Sequence, residues 1–366
     1  MPPIPDVIQA LLRLAVEAGA SDIHLRVGRP ALFRVDGSLV AAEMESLAEA
    51  QVVAFVDATL PPAFRPGWER DHQVDYAFDA AAAGRYRVNA YRQRGTTGAV
   101  LRLVRTNPPS LAEMSLDPSL ARLAEFPSGI VLVCGPTGSG KSSTLAALLR
   151  HLNETAERHV VTLEDPVEYL FADQRSTFSQ REVGIDVPGF AEGLRAALRQ
   201  DPDVILIGEM RDRLTFETAI QAAETGHLVL STLHAGTSQQ AVQRLFEFFR
   251  PEEVATARRN IASTLRAIVV QTLAPRADGQ GVVPACEVLV IDSLARRVIA
   301  EGQFEKIPDL VEAGKDSGSR GMNADLLRLV RSGQVDKAEA LARSPSPRAL
   351  EMLLAGIQTA SGRIVQ

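Results

Sequence analysis

The chain has 366 residues, 46% of them hydrophobic, 23% charged and 5% aromatic, with a formal net charge of −6. That length fits two domains, or two with an appendage; the composition is that of a soluble globular protein, and its acidic balance argues against a dedicated nucleic-acid binder. No apolar run approaches the ~20 residues needed to cross a bilayer, and Cys134 and Cys286, with no CxxC spacing, indicate neither a zinc knuckle nor a disulfide framework.

In the opening "MPPIPDVIQALLRLAVEAGA", Asp6, Gln9, Arg13 and Glu17 interrupt the apolar residues. The pattern over 5–18 predicts an amphipathic helix, not a signal peptide, and a cytoplasmic protein. In "SDIHLRVGRPALFRVDGSLV" the "DG" near 36 predicts a hairpin turn. A helical stretch follows near 46–58. Then come the strands "GRYRVNAYRQ" and "AVLRLVR" around "RGTTG", where Arg85, Arg87 and Asn89 alternate with Tyr86, Val88 and Ala90. Such alternation belongs to a half-buried strand and gives its polar face a row of arginines. Residues 1–105 thus read as a small α/β domain, and 106–127, with Pro108, Pro109, Pro118 and Pro127, as a linker holding a short helix.

From 128 to 285, β-rich runs ("IVLVCG", "HVVTLE", "VILIGE", "LVLSTL") alternate with helical patterns. This predicts an α/β core with a largely parallel sheet covered by helices. Residues 286–366 read as mostly helical.

"GPTGSGKS" at 135–142 is a complete G-x-x-x-x-G-K-[ST] pattern between an apolar strand and the helix "STLAALLRHLN". Its glycines allow successive N–H groups to face phosphate oxygens, and the helix N-terminus adds partial positive charge. The nucleotide site is therefore assigned to Gly135, Pro136, Thr137, Gly138, Ser139, Gly140, Lys141, Ser142 and Ser143. The substrate read from it is ATP with Mg2+, Lys141 reaching the β- and γ-phosphates and Ser142 ligating the metal.

Two later strands end in acid. "VILIGEMRD" puts Glu209 at a strand's carboxyl end, which suits a metal-side role. "VVTLEDPVEY" puts Glu164 at the same kind of edge, as the general base that orients water. Asp165, before Pro166, reads as a turn former and Glu168 as an ion-pair partner. In "ETGHLVLSTLHAGTS", His234 closes a further strand and is assigned to sensing the γ-phosphate. His227, before that strand, is either a member of the nucleotide site or an ordinary hydrogen-bonder.

Together, "GPTGSGKS", "TLEDPVEY", "LRQDPDVILIGEMRD" and "TGHLVLSTLHAGTS" resemble the secretion and type IV pilus motor ATPase superfamily, with "ASDIHL" extending the likeness into the first domain. "SQREVG" and "AAETGHL" resemble the short PilT/PilU branch of pilus retraction motors. Longer assembly motors typically carry a four-cysteine zinc module, which two cysteines cannot form. One stretch departs: an "AIRNLI"-like segment of that branch is replaced by "SLARRVI" at 293–299, where Ala295, Arg296 and Ile299 keep part of its character.

The resemblance implies a PAS-like N-terminal domain, a RecA-like ATPase domain and a homohexameric ring. It also implies ATP at interfaces completed by Arg87 and Arg102, with Arg85 and Arg105 as second choices. It implies an inner-membrane platform protein and a paralogous motor as partners, and a cytoplasmic site at the membrane. Arg195 and Arg199, four apart on one helix, read as surface ion-pair residues. A P-loop kinase would leave the acidic and histidine boxes without a purpose. A nucleic-acid translocase or conjugation-type ATPase would want a basic groove with stacking aromatics. An inactive ring subunit conflicts with intact Lys141, Ser142, Glu164 and Glu209.

Overall fold

The computed structural model describes residues 3–35, 37–104, 106–314 and 317–357. Two compact units result: one runs to Asn107 and takes in Pro166–Leu170, and the other starts at Pro108 and takes in the rest.

The first unit contains helices α1 (Asp6–Glu17), α2 (Glu49–Thr59) and α3 (Arg65–Asp71). Its strands are β1 (Asp22–Arg26), β2 (Leu32–Val35), β3 (Ser38–Ala41), β4 (Gln73–Asp79), β5 (Arg85–Gln93) and β6 (Thr96–Leu103). They form one antiparallel sheet in the order β3-β2-β1-β6-β5-β4. Helix α1 follows from Ile8, Leu11, Leu12 and Ala15, which recur at helical spacing and are all buried. These residues share a core with Phe55 of α2 and with Tyr86, Val88, Ala90 and Leu101 of the sheet.

The β5–β6 hairpin turns on Arg94 and Gly95, both at positive φ (49° and 79°), as a twist-matched two-residue loop requires. Asp36, where the other turn was expected, lies outside the described residues; on either side of it Val35 pairs with Ser38. On the sheet's second face the register sets Arg34, Asp22, Arg102 and Arg87 side by side across four strands.

In the second unit the strands are β7 (Gly129–Cys134), β8 (His159–Glu164), β9 (Thr177–Glu182), β10 (Val204–Ile207), β11 (Leu228–Leu233), β12 (Leu265–Pro275) and β13 (Val282–Val290). Its helices begin with α4 (Lys141–Thr155), α5 (Phe190–Ala197), α6 (Arg213–Glu224), α7 (Ser238–Phe246) and α8 (Val254–Thr264). They continue with α9 (Ser293–Glu301), α10 (Ile307–Ala313), α11 (Met322–Arg331), α12 (Lys337–Arg343) and α13 (Pro347–Leu354).

The sheet order is β13-β12-β7-β11-β10-β8-β9, and every pairing is parallel except β12 with β13. Strands β7, β10 and β11 are buried along their whole length, the mark of a sheet covered on both faces. Alternate residues of β7 serve the two covers. Ile130, Leu132 and Cys134 join one core, while Val131 and Val133 join the other with α4 residues Leu145, Leu148 and Leu149.

The proline-rich stretch is no free tether, because Leu116, Leu120 and Leu123 pack into that second core. The expected boundary at 286 falls inside β13, and the helices begin at Ser293. Leu326, Leu329 and Leu350 form a separate core against Ala274, Val283 and Ala285. Asp325 fastens this layer: it accepts the backbone N–H of Cys286 (2.8 Å) and the Arg328 guanidinium (2.8 Å). Both cysteines are free and fully buried. Burial pushes the Cys134 thiol up to about 12 and raises that of Cys286 as well. Among the described residues no helix is long and apolar enough to cross a membrane.

Candidate active site

Four neighbouring strands, β7, β11, β10 and β8, run parallel, so their carboxyl ends share one edge of the sheet. Ligands of open α/β sheets bind at such an edge. Leaving Cys134, the chain enters the glycine loop with Gly135, Gly138 and Gly140 all at positive φ (148°, 78° and 85°). Two of these glycines are also required by space. A Cβ on Gly135 would sit 2.5 Å from the Gln271 backbone oxygen, and one on Gly140 would sit 2.9 Å from Gln271 Nε2.

Helix α4 begins at Lys141, so its unsatisfied N–H groups face the loop. Lys141 Nζ donates to the carbonyls of Gly135 and Pro136, each at 3.0 Å. Ser142 and Ser143 are half-buried in the first turn, while Pro136, Thr137 and Gly138 are exposed at the loop tip.

Glu164 is the last residue of β8 and only 8% exposed. Its Oε1 accepts from Thr162 Oγ1 at 2.7 Å and from Gln180 Nε2 at 3.4 Å. Glu209 follows β10 by two residues. Its carboxylate meets Arg211 Nε at 2.8 Å and His234 Nε2 at 3.4 Å. Arg211 also lies 3.9 Å from Asp165. The backbone carrying Glu209 is pinned to both neighbouring strands: Gly208 N–H donates to Leu163 O (2.8 Å), and Thr232 Oγ1 donates to Gly208 O (2.6 Å). Arg244 in turn donates to the His234 carbonyl.

The edge therefore gathers the phosphate loop, Glu164, Glu209 and His234. No group of three His, Cys, Asp or Glu side chains that could hold a metal occurs among the described residues. The donors present still fit Mg2+, which takes hard oxygens and keeps waters and substrate phosphates. One hydroxyl (Ser142) and one carboxylate (Glu209) suffice from the protein.

Other expectations fall elsewhere. His227 precedes β11, and β11 and β7 run in register from Leu228↔Gly129 to Leu233↔Cys134. A strand of that length spans about 20 Å, so His227 sits at the opposite edge from the loop. Its Nδ1 lies 2.9 Å from the Ala222 carbonyl, which can only accept, and 3.1 Å from Thr225 Oγ1. Within the chain His227 makes these hydrogen bonds and stands apart from the phosphate loop.

Arg195 and Arg199 are exposed and form no ion pair among the described residues. Arg199 lies beyond the last turn of α5 and donates to the Arg195 carbonyl (3.0 Å). Arg87 and Arg102 belong to the first unit, where Arg102 Nε donates to Asp22 Oδ1 at 2.8 Å. Burial would raise the Asp22 carboxyl, but bonds from Ser21 and Arg102 outweigh it and hold the group below its ordinary value. Arg105 lies outside the described residues.

Four contacts escaped the sequence reading: Thr162 and Gln180 on Glu164, Arg211 on Glu209, and Gln271 against the phosphate loop. Gln271 left one legible sign, a lone amide in the apolar run "RAIVVQTLAP".

A phosphate loop feeding a helix, with two carboxylates and a histidine on the adjoining parallel strand ends, defines a P-loop ATPase whose RecA-like domain follows an N-terminal α/β domain. Residues 1–305 match the family model described as "Type II/IV secretion system protein". The type IV pilus retraction ATPase PilT of Pseudomonas aeruginosa is 36% identical over 93% of this chain and 98% of its own. The type IV pilus ATPase PilU of the same organism is also 36% identical, over 94% of this chain and 91% of its own. A crystal structure of the pilus retraction motor PilT with bound ADP superposes with a TM-score of 0.85 at 37% identity, covering 94% of this chain and 98% of that one. The chain belongs to the Type II/IV secretion system protein family.

Proposed function

We propose that this ATPase is the subunit of a homohexameric motor that retracts a type IV pilus, working on the cytoplasmic side of an inner-membrane platform protein. The observation that carries the reading is similarity to a retraction ATPase over 93% of this chain and 98% of that one. In this reading Lys141 binds the β- and γ-phosphates, and Ser142 and Glu209 hold Mg2+ on the transferred group. Glu164 takes the proton of the attacking water, with its Oε1 held by Thr162. His234, 3.4 Å from Glu209, registers the γ-phosphate. Arg87 and Arg102 of a neighbouring subunit supply the positive charge that the developing charge on the γ-phosphoryl group demands. Hydrolysis then opens and closes subunit interfaces, and the rotation returns pilin to the membrane.

The equal identity to PilU favours one second reading, an accessory motor acting beside a paralogue. Deleting the gene tests both. Hyperpiliated, non-twitching cells support retraction; normal twitching with weakened force supports the accessory role; loss of pili overturns both. Purified Glu209→Ala should have lost ATP turnover, and a rate equal to the parent's would remove Glu209 from the mechanism.

A further inference from the structure

Gln271 stands in β12 directly after the buried aliphatic run Ala267, Ile268, Val269 and Val270. It is itself 1% exposed. An amide in such a place must be fully hydrogen-bonded to be tolerated, and both its ends are used. Nε2 donates to the Ser139 carbonyl at 2.5 Å, and Oε1 accepts from Thr144 Oγ1 at 2.6 Å. The Ser139 carbonyl can only accept, so the nitrogen faces the loop and the oxygen faces α4; no other assignment of the amide satisfies both.

The consequence lies in the peptide that this bond holds. A trans peptide is planar, and its C=O and N–H point in opposite directions. A donor fixed on the Ser139 carbonyl therefore aims the Gly140 N–H away from Gln271, and in a loop that binds phosphate through its N–H groups such a group is held ready for the ligand. Thr144, with no exposed surface, stops the amide from rotating. The tight approach also explains two of the loop's glycines, since added Cβ atoms at 135 and 140 would strike the backbone and side chain of this same residue.

We infer that Gln271 is a positioning residue for nucleotide binding: through Ser139 and Thr144 it holds the Ser139–Gly140 peptide in its phosphate-binding orientation before nucleotide arrives. The inference rests on reading residues 135–142 as the phosphate loop. Its effect is uniform across the reaction, because the same N–H serves substrate and transition state, so it acts on KM and not on kcat.

The test uses the full-length chain, a fluorescent ADP analogue for affinity, and steady-state ATP hydrolysis. Gln271→Met keeps length and shape without the bonds, and should raise both Kd and the KM for ATP about tenfold with kcat nearly unchanged. Thr144→Val should raise them in the same direction by about threefold, and Thr144→Ser should restore the parent values. A Gln271→Met protein with parental melting temperature and parental Kd overturns the inference, as does Thr144→Ser binding as weakly as Thr144→Val. Should Gln271→Met not fold, the Thr144 pair decides alone, and parental affinity in Thr144→Val counts against it. Lys141→Ala separates the two levels. If it binds nucleotide like the parent, the phosphate-loop reading fails; if it loses binding while Gln271→Met keeps it, only the positioning role fails.

Discussion

The two sheets of this chain offer their chemistry in different places. The antiparallel sheet of the first unit buries one face under helices and lays polar groups across the other, so its candidates Arg102 and Arg87 lie in a row with Asp22 and Arg34. The parallel sheet of the second unit has both faces covered and keeps its chemistry at one edge, where four strand ends deliver loop, acid, acid and histidine. An antiparallel sheet cannot gather successive strand ends that way, because alternate strands finish at opposite edges. A doubly covered parallel sheet has no free face to use. In the proposed mechanism the edge would supply the reacting groups and the face would supply charge to a neighbouring subunit.

The largest effect that would break this division is expected at the edge. Glu164→Gln should lower kcat by about 10²–10⁴ while leaving nucleotide affinity in place; single-turnover hydrolysis against analogue binding checks both halves. Next comes the face. Arg102→Ala should cost about 10² in kcat of the assembled protein and leave the nucleotide affinity of dissociated subunits unchanged. A loss of affinity in dissociated subunits would mean the row serves its own chain.

A smaller effect concerns acid. Asp22 has its folded value held below the ordinary 3.8, so its contribution to stability is present above that value and lost as pH falls through it and below. Asp22→Asn should therefore flatten the acid limb of the urea-midpoint profile below roughly pH 5. The same acid loss in parent and variant would remove Asp22 from it. The smallest is a control on β3, whose Val40 is 52% exposed at the sheet's border. Val40→Thr should change unfolding free energy by no more than about 0.5 kcal/mol.

Much of the edge was legible because each part carries a local signature. Three glycines at fixed offsets, an apolar run ending in Glu164, another ending near Glu209, and His234 after a third can all be read without knowing which strands adjoin. What escaped depends on adjacency. His227 and His234 flank one strand and look alike in sequence, but the parallel direction of β11 sends them to opposite edges. Gln180 reaches Glu164 only because β8 and β9 pair in register, with Thr162 opposite Gln180; Thr162 needs no partner strand, since it precedes Glu164 by two residues on the same face of β8. Gln271 acts on a loop more than a hundred residues away, through a strand position that pattern alone marks as core. In the first unit the alternation of β5 was plain, while the cross-strand row needed the pairing of β1 with both β2 and β6.

The burial of Cys134 and Cys286 has a practical consequence. With both thiols shut away and burial raising them above the ordinary thiol range, the native chain should be silent to alkylating reagents. A cysteine introduced on its surface can then be labelled alone, without removing the natural pair. The natural pair becomes a built-in clock: Cys134, one residue before the phosphate loop, reacts only when β7 opens. The rate at which it does so, with and without nucleotide, times how firmly ligand closes the floor of the site.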